Sequence, residues 1–446
     1  MEKIEKIFRA YDIRGIFGKD LTLDIAYDIG RAFGTKLGEG KKVCISRDTR
    51  ISGKALMEAF ILGLIYCGCN SVKTGIIPIP VLGYYTWKKG FDAGVYISAS
   101  HNPFEYNGIR FRGKDGAGLL YEKMGIKKAF MKKEFKEGKN EGYSIELNAE
   151  YILDDYFGYV EGNVNLNKKI KVVLDPGNGS AYKMLPLYEN IGCETYGINM
   201  IPKGINPNRI PEPNKESLVI TAEMVRNMKA DFGVAFDADA DRGIIMDNNG
   251  RIITPEKIAV VLAKNLFNEG KIVASIDCSI LLEKELEDFK IVRERVGDIF
   301  ISQAVKKHNA ILGVERSGHF FIPAIQYSDD PFAMSVKLAE VLSKSNKSLS
   351  RLANEIKEYP YYSESIKCPD EIKFDVMDKI KEEFLKEKWE VDLKDGIRVF
   401  TDDWAVLIRA SQTEPKIRLY VETTINNLKE LKEEFKKRIN KIMKSN

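Results

Sequence analysis

No stretch of the chain is apolar for long enough to span a bilayer. The longest such run, Phe60 to Cys69, falls well short of the roughly 20 residues a spanning helix needs. The opening MEKIEKIFRAYDIRG is charged and lacks the apolar core of a secretory signal. The six cysteines include no pair at CxxC spacing, so buried free thiols in a reducing compartment are expected. Neither sign of charge dominates: 69 Lys and Arg against 65 Asp and Glu leave a net +4. Nothing in that balance calls for nucleic acid or a membrane, and the Lys-rich end from Leu428 to Lys444 alternates acids with bases as a solvated helix face does. Histidine is scarce, with only three in the chain, and His308, after Lys306 and Lys307, reads as surface. These absences leave a cytoplasmic globular protein, a monomer or small homo-oligomer.

What is present is a repeat. A length of 446 residues corresponds to about three domains at roughly 150 residues each. Three segments begin alike, Lys42-Val43-Cys44-Ile45-Ser46-Arg47-Asp48, Lys171-Val172-Val173-Leu174-Asp175 and Lys271-Ile272-Val273-Ala274-Ser275-Ile276-Asp277. Each reads as a buried strand followed by a turn and a helix-compatible stretch, the pattern of α/β units around a mostly parallel sheet. Further on, Gly94-Val95, Gly233-Val234 and Gly313-Val314 each stand inside another strand. Setting those pairs in register places YISASHNP, AFDADADR and ERSGHF at the carboxyl ends of equivalent strands, where open α/β sheets bind ligands. The expected units are 1–148, 149–251 and 252–365, all α/β with mixed, mostly parallel sheets. A smaller α+β unit, 366–446, carries the strands VLIRA and KIRLYVE around the loop SQTEP.

Each loop has its own chemistry. Asp237, Asp239 and Asp241 stand at alternate positions beyond an apolar strand, and three such carboxylates repel one another unless a cation compensates. A calcium EF-hand loop would need Gly and Glu where Arg242 and Asn248 stand, so magnesium, which takes few carboxylates, is the better occupant. Glu315, Ser317 and His319 offer a carboxylate, a hydroxyl and an imidazole suited to sugar hydroxyls. Arg409, Ser411, Gln412 and Thr413 form a phosphate cradle of guanidinium fork, hydroxyls and loop amides. Arg14 in FRAYDIRG is ligand-facing or structural and is counted with Tyr11 among the expected substrate contacts, whereas Arg47 and Arg50 in SRDTR read as structural. Together these parts point to phosphoryl transfer on a phosphorylated sugar.

FRAYDIRG, SASHNP, DADADR, VERSGH and RASQTEP, in this order over essentially the whole chain, resemble the α-D-phosphohexomutases. FRAYDIRG and RASQTEP are similar to the phosphomannomutase/phosphoglucomutase branch; the phosphoglucosamine mutase branch more often has GTDGIRG and RPSGTEP at these places. The resemblance implies four domains around a central cleft, and interconversion of hexose 1- and 6-phosphates with Mg²⁺ and a phosphoserine at Ser100 rather than Ser98. Asp237, Asp239 and Asp241 would hold the metal with a phosphoserine oxygen of Ser100, and Arg242 would lie near the serine. Glucose or mannose 1,6-bisphosphate would be the activator, and phosphorylated hexoses the partners. Arg110 stands where the family usually has lysine. A guanidinium stays protonated, so it can steady charge but cannot accept a proton, and His101 becomes the first choice for that task. Asp277 and Ile299 also depart from positions that are often basic, with Arg295 as their candidate substitute. The rival readings are phosphoglucosamine mutase, a silent sugar-phosphate sensor and a metal-dependent phosphatase.

Overall fold

The computed structural model describes residues 5–9, 11–205, 207–411 and 415–444. It contains four sheets. The first runs Ile13–Ile16, Tyr106–Gly113, Ala93–Ile97, Lys42–Arg47, Asn70–Ile76, Ser144–Glu146 across its width. The second runs Ile252–Ile253, Gly243–Asp247, Phe232–Phe236, Lys171–Asp175, Glu194–Gly197. The third has four strands, Phe289–Glu294, Gly270–Ser275, Leu312–Val314 and Phe320–Phe321. In each of these, the strand of the first repeat pairs in parallel with the Gly-Val strand, which then pairs antiparallel with the strand after its polar loop. The expected register holds: Gly94 faces Cys44, Gly233 faces Val173 and Gly313 faces Val273.

The reason for glycine at these points is steric. A Cβ there would lie 2.6 Å from Thr86 Oγ1, 2.6 Å from Val225 Cγ2 and 2.7 Å from Val305 Cγ2 respectively. Those atoms belong to helices Ile79–Lys88, Val219–Asn227 and Asp298–His308, each leading into its Gly-Val strand. A bare backbone lets the helix settle onto the sheet, so the same crossover is built three times. The helices after the first strands are less alike. Gly53–Tyr66 is a full helix, but Pro186 has no N–H to continue one, and the second unit has a 3₁₀ turn Ser180–Lys183 followed by Leu185–Asn190. The third has only Leu281–Glu285.

One continuous apolar core joins the first three units. Helix Ala149–Glu161 contributes Ile152, Tyr156, Phe157 and Val160 to it, beside Tyr84 of the first unit and Phe332 of the third. Its Tyr156 hydroxyl donates to Asp330 Oδ2 at 2.7 Å. The loops at the strand ends are therefore fixed relative to one another by burial. The last unit has a separate core under an antiparallel sheet, Tyr361–Lys367, Lys416–Thr423, Trp404–Ala410, Ile397–Phe400, Glu390–Asp392. Its edge strand spans the expected border at residue 365, because those residues pair with Lys416–Thr423. Helix Leu428–Lys444 buries Leu431, Phe435, Ile439 and Ile442, spaced along one face, and leaves the charged face to water. All six cysteines are buried and free. Among the described residues no helix is long and apolar enough to cross a membrane.

Candidate active site

The three polar loops turn through left-handed backbone at nearly the same place: Ser100 has φ +48°, Ala240 +59° and Gly318 +98°. For a non-glycine residue this costs on the order of 1–3 kcal/mol and persists only where the surroundings impose it. At Ser100 the side chain gains two partners. Its Oγ donates to Asp237 Oδ2 at 2.9 Å and lies 3.2 Å from His101 Nδ1. Ser98, which reads as a strand residue in the sequence, has a further part. Its Oγ accepts from the Ser100 N–H at 2.8 Å and lies 2.7 Å from Asp48 Oδ2 and 3.0 Å from Asp239 Oδ2.

Asp237, Asp239 and Asp241 are at most 1% exposed, and an oxygen from each lies within 4.8 Å of the others. Burial, then the neighbouring carboxylates, push Asp237 well above the usual carboxylate range, and burial with Asp241 raises Asp239. Against the same burial, Arg110 and then His319 hold Asp241 well below it. Asp239 Oδ1 is buried without a hydrogen-bond partner, and the other carboxylate oxygen facing inward, Asp241 Oδ1, has the His319 ring 3.3 Å away. Hard oxygen donors, excess negative charge and unpaired lone pairs fit a magnesium ion. Arg110 reaches into the same cluster, bonding Asp241 Oδ2, Asp239 Oδ2 at 3.2 Å and Asp298 Oδ2 at 2.9 Å. One guanidinium thus ties three units together.

Around this cluster stand the other expected residues. Arg242 donates its backbone N–H to Asp237 Oδ1 at 3.2 Å, with Nε 4.0 Å from Oδ2. The Arg242 guanidinium, then burial and Arg14, bring the His101 imidazole down to about 2, so the ring is neutral at working pH. Arg14 bonds Asp12 and the side-chain oxygen of Asn102, next to His101. His319 places Nε2 3.3 Å from Asp241 Oδ1, and its Nδ1 lies 2.8 Å from both Glu315 Oε2 and Ser317 Oγ. Against the cost of burial, Asp241 and Glu315 raise its pKa well above the ordinary value. Glu315 also accepts the Gly297 N–H at 2.6 Å.

A second cluster lies beside Glu315. Tyr11 donates to Val296 O at 3.0 Å and sets its ring edge against Phe300. Burial, opposed by Arg409 and helped by Asp395, moves the Tyr11 hydroxyl up to about 12. Arg409 is paired with Asp395 at 3.2 Å, and Ser411 donates its N–H to Lys416 O at 2.9 Å. Gln412 and Thr413 lie outside the described residues. Arg295 is exposed and stacks 4.2 Å over Phe300. Asp277 accepts from Ser275 Oγ at 2.6 Å, and its carbonyl accepts from Arg316 at 3.0 Å.

Sequence reasoning missed Asp48, Asp298 and Asp395. Asp298 carries a local sign, a Gly-Asp pair opening a helix, but capping explains that equally well. Its bond to Arg110 spans 188 residues and has no sequence signature.

Family models for the phosphoglucomutase/phosphomannomutase α/β/α domains I, II and III match residues 5–137, 154–250 and 254–359, and that for the C-terminal domain matches 366–438. A relative from Methanothermobacter thermautotrophicus, named "probable phosphoglucosamine mutase", is 34% identical over 94% of both chains. One from Thermococcus kodakarensis, named phosphoglucomutase/phosphomannomutase, is 35% identical over 94% of both. A crystal structure of a phosphoglucomutase/phosphomannomutase family protein from Burkholderia thailandensis superposes with a TM-score of 0.87 at 28% identity, covering 98% of each chain. Four domain matches in order, over a cleft with a buried serine and carboxylate triad, make this chain a member of the phosphoglucomutase/phosphomannomutase family of α-D-phosphohexomutases and an intramolecular phosphotransferase.

Proposed function

We propose that the chain interconverts the 1- and 6-phosphates of mannose and glucose through a phosphorylated Ser100 and a hexose 1,6-bisphosphate. The observation that carries this reading is the Ser100 hydroxyl, bonded to Asp237 at 2.9 Å and facing His101 at 3.2 Å. A sugar hydroxyl oxygen bonds to the phosphorus of phosphoserine, the phosphorus–Oγ bond breaks, and the hydroxyl proton passes by way of neutral His101 to Oγ. The bisphosphate turns over, and the reverse steps return its other phosphate to Ser100. Arg110 and Arg242 hold negative charge in place. Asp237, Asp239, Asp241 and a phosphoserine oxygen would hold Mg²⁺, which would supply neutralisation of charge on the phosphoryl oxygens. Glu315, Ser317 and His319 face the sugar. Tyr11 and Arg14 flank it, and Arg409, Ser411, Gln412 and Thr413 take the phosphate that does not react. Such catalysis is mostly positioning and charge neutralisation, and each α/β unit supplies one loop for it.

The glucosamine reading rests on the names of relatives, since the Methanothermobacter protein is one of several similar chains called probable phosphoglucosamine mutase. Against it stand FRAYDIRG and RASQTEP. Coupled assays with glucosamine 6-phosphate and mannose 6-phosphate separate the two. Peptide mass spectrometry after incubation with glucose 1,6-bisphosphate tests the mechanism. Phosphate is expected on Ser100, and Ser100→Ala removes nearly all turnover, whereas Ser98→Ala costs far less. Phosphate at another residue, or none, refutes the mechanism.

A further inference from the structure

The SRDTR segment, structural by its sequence, has a buried guanidinium whose every donor is committed to the nucleophile loop or to its anchor. Arg50 is 2% exposed. An arginine has five N–H donors, and all five are used. Nη2 donates to the carbonyls of Ser100 and Asn102, at 2.7 Å each. Nη1 donates to the carbonyls of Pro103 at 2.6 Å and Tyr106 at 3.0 Å. Nε donates to Asp48 Oδ2 at 3.0 Å. Asp48 in turn accepts the Arg50 backbone N–H at 2.9 Å and lies 2.7 Å from Ser98 Oγ.

Both peptide groups of Ser100 are therefore tied to one anchor. Its carbonyl is held by Arg50, and its N–H by Ser98, which is itself bonded to Asp48. The four carbonyls come from residues 100–106 and turn inward onto a single cation, which sustains the left-handed backbone at Ser100. The Ser98 hydroxyl also touches Asp239 at 3.0 Å, so the clamp and the carboxylate triad share a hydrogen-bonded link.

We infer that Arg50 is a positioning residue for the phosphoryl-carrying serine, aiming Ser100 Oγ through the loop carbonyls without touching substrate. The inference rests on the phosphoserine reading above. A lysine would keep the charge, but its donors all sit on one nitrogen and cannot serve four carbonyls and Asp48 together.

The test compares the full-length wild type with Arg50→Lys, using glucose 1,6-bisphosphate as the phosphoryl donor. Phosphorylation is read by mass spectrometry, turnover by coupled assay and loop order by amide hydrogen exchange. The expected outcome is a kcat lower by about 100-fold, the scale of a displacement of about 1 Å, with KM nearly unchanged. Faster exchange is expected only in peptides covering residues 98–107, not in strand Ala93–Ile97. A wild type that takes no phosphate on Ser100 overturns the phosphoserine reading and this inference with it. A wild type phosphorylated on Ser100 beside an Arg50→Lys variant of equal kcat overturns the positioning role alone. Exchange that rises throughout the first unit, or a variant that fails to fold, also overturns it, because the role would then be general stability.

Discussion

Replacing Arg110 by methionine keeps an apolar stem of similar length and removes the one cation shared by Asp239, Asp241 and Asp298. The Arg110 side chain is only 12% exposed, and Asp239 and Asp241 are at most 2% exposed. Two unit charges 4 Å apart interact by about 4 kcal/mol at an effective dielectric constant near 20, and Arg110 serves three. The carboxylates recover part of that loss by binding protons, which burial and mutual repulsion already favour for Asp237 and Asp239. Removing one partner of a buried ion pair costs about 3–5 kcal/mol, the expected loss in metal-free buffer. For the three units that share one core, roughly 360 residues at about 2.1 cal/mol/K each, this is a melting point lower by roughly 4–7 °C. Magnesium should then matter more to the variant than to the wild type, because Arg110 no longer competes for Asp239 and Asp241. At 100 times its dissociation constant, a ligand adds about 2.7 kcal/mol. Scanning calorimetry in EDTA and in MgCl₂ checks both statements. An Arg110→Met variant that melts with the wild type in EDTA, or gains less from MgCl₂, refutes the account of the cluster.

Two further outcomes are expected. Burial raises the Asp330 pKa to about 6 from 3.8, opposed by its bonds to Ala333, Gln326 and Tyr156. A raised carboxyl makes folding take up a proton, so this group costs nothing below the unfolded value and its full penalty above pH 6. At about 1.4 kcal/mol per unit the penalty is about 3 kcal/mol; melting curves of Asp330→Asn against the wild type should diverge in the variant's favour from pH 4 to 6 and run parallel above, and a constant difference contradicts the assignment. In initial-rate assays, turnover of mannose and glucose phosphates should differ by less than about a thousandfold, roughly 4 kcal/mol. On the proposed mechanism the sugar binds in both orientations, which contacts at O3 and O4 would permit while leaving C2 loosely read.

The repeat, the mixed sheets and the identity of the polar loops were legible in the sequence because each is local. In these three units a glycine stands where the crossover helix rests on the strand, and a loop follows where the apolar run stops, so the register of Gly94, Gly233 and Gly313 brought the three polar loops to the ends of equivalent strands. The acidic triad was legible for the same reason, three carboxylates within five residues. What surrounds them was not. Ser98 meets Asp239 across 141 residues, Arg110 meets Asp298 across 188 and Arg50 meets the Ser100 carbonyl across 50. Composition and periodicity say which residues are buried, but a hydrogen bond depends on distances near 3 Å between chain segments that only the packed core brings together. Only that packing pushes the His101 pKa down and the His319 pKa up, through the Arg242 charge acting on the first and Asp241 on the second.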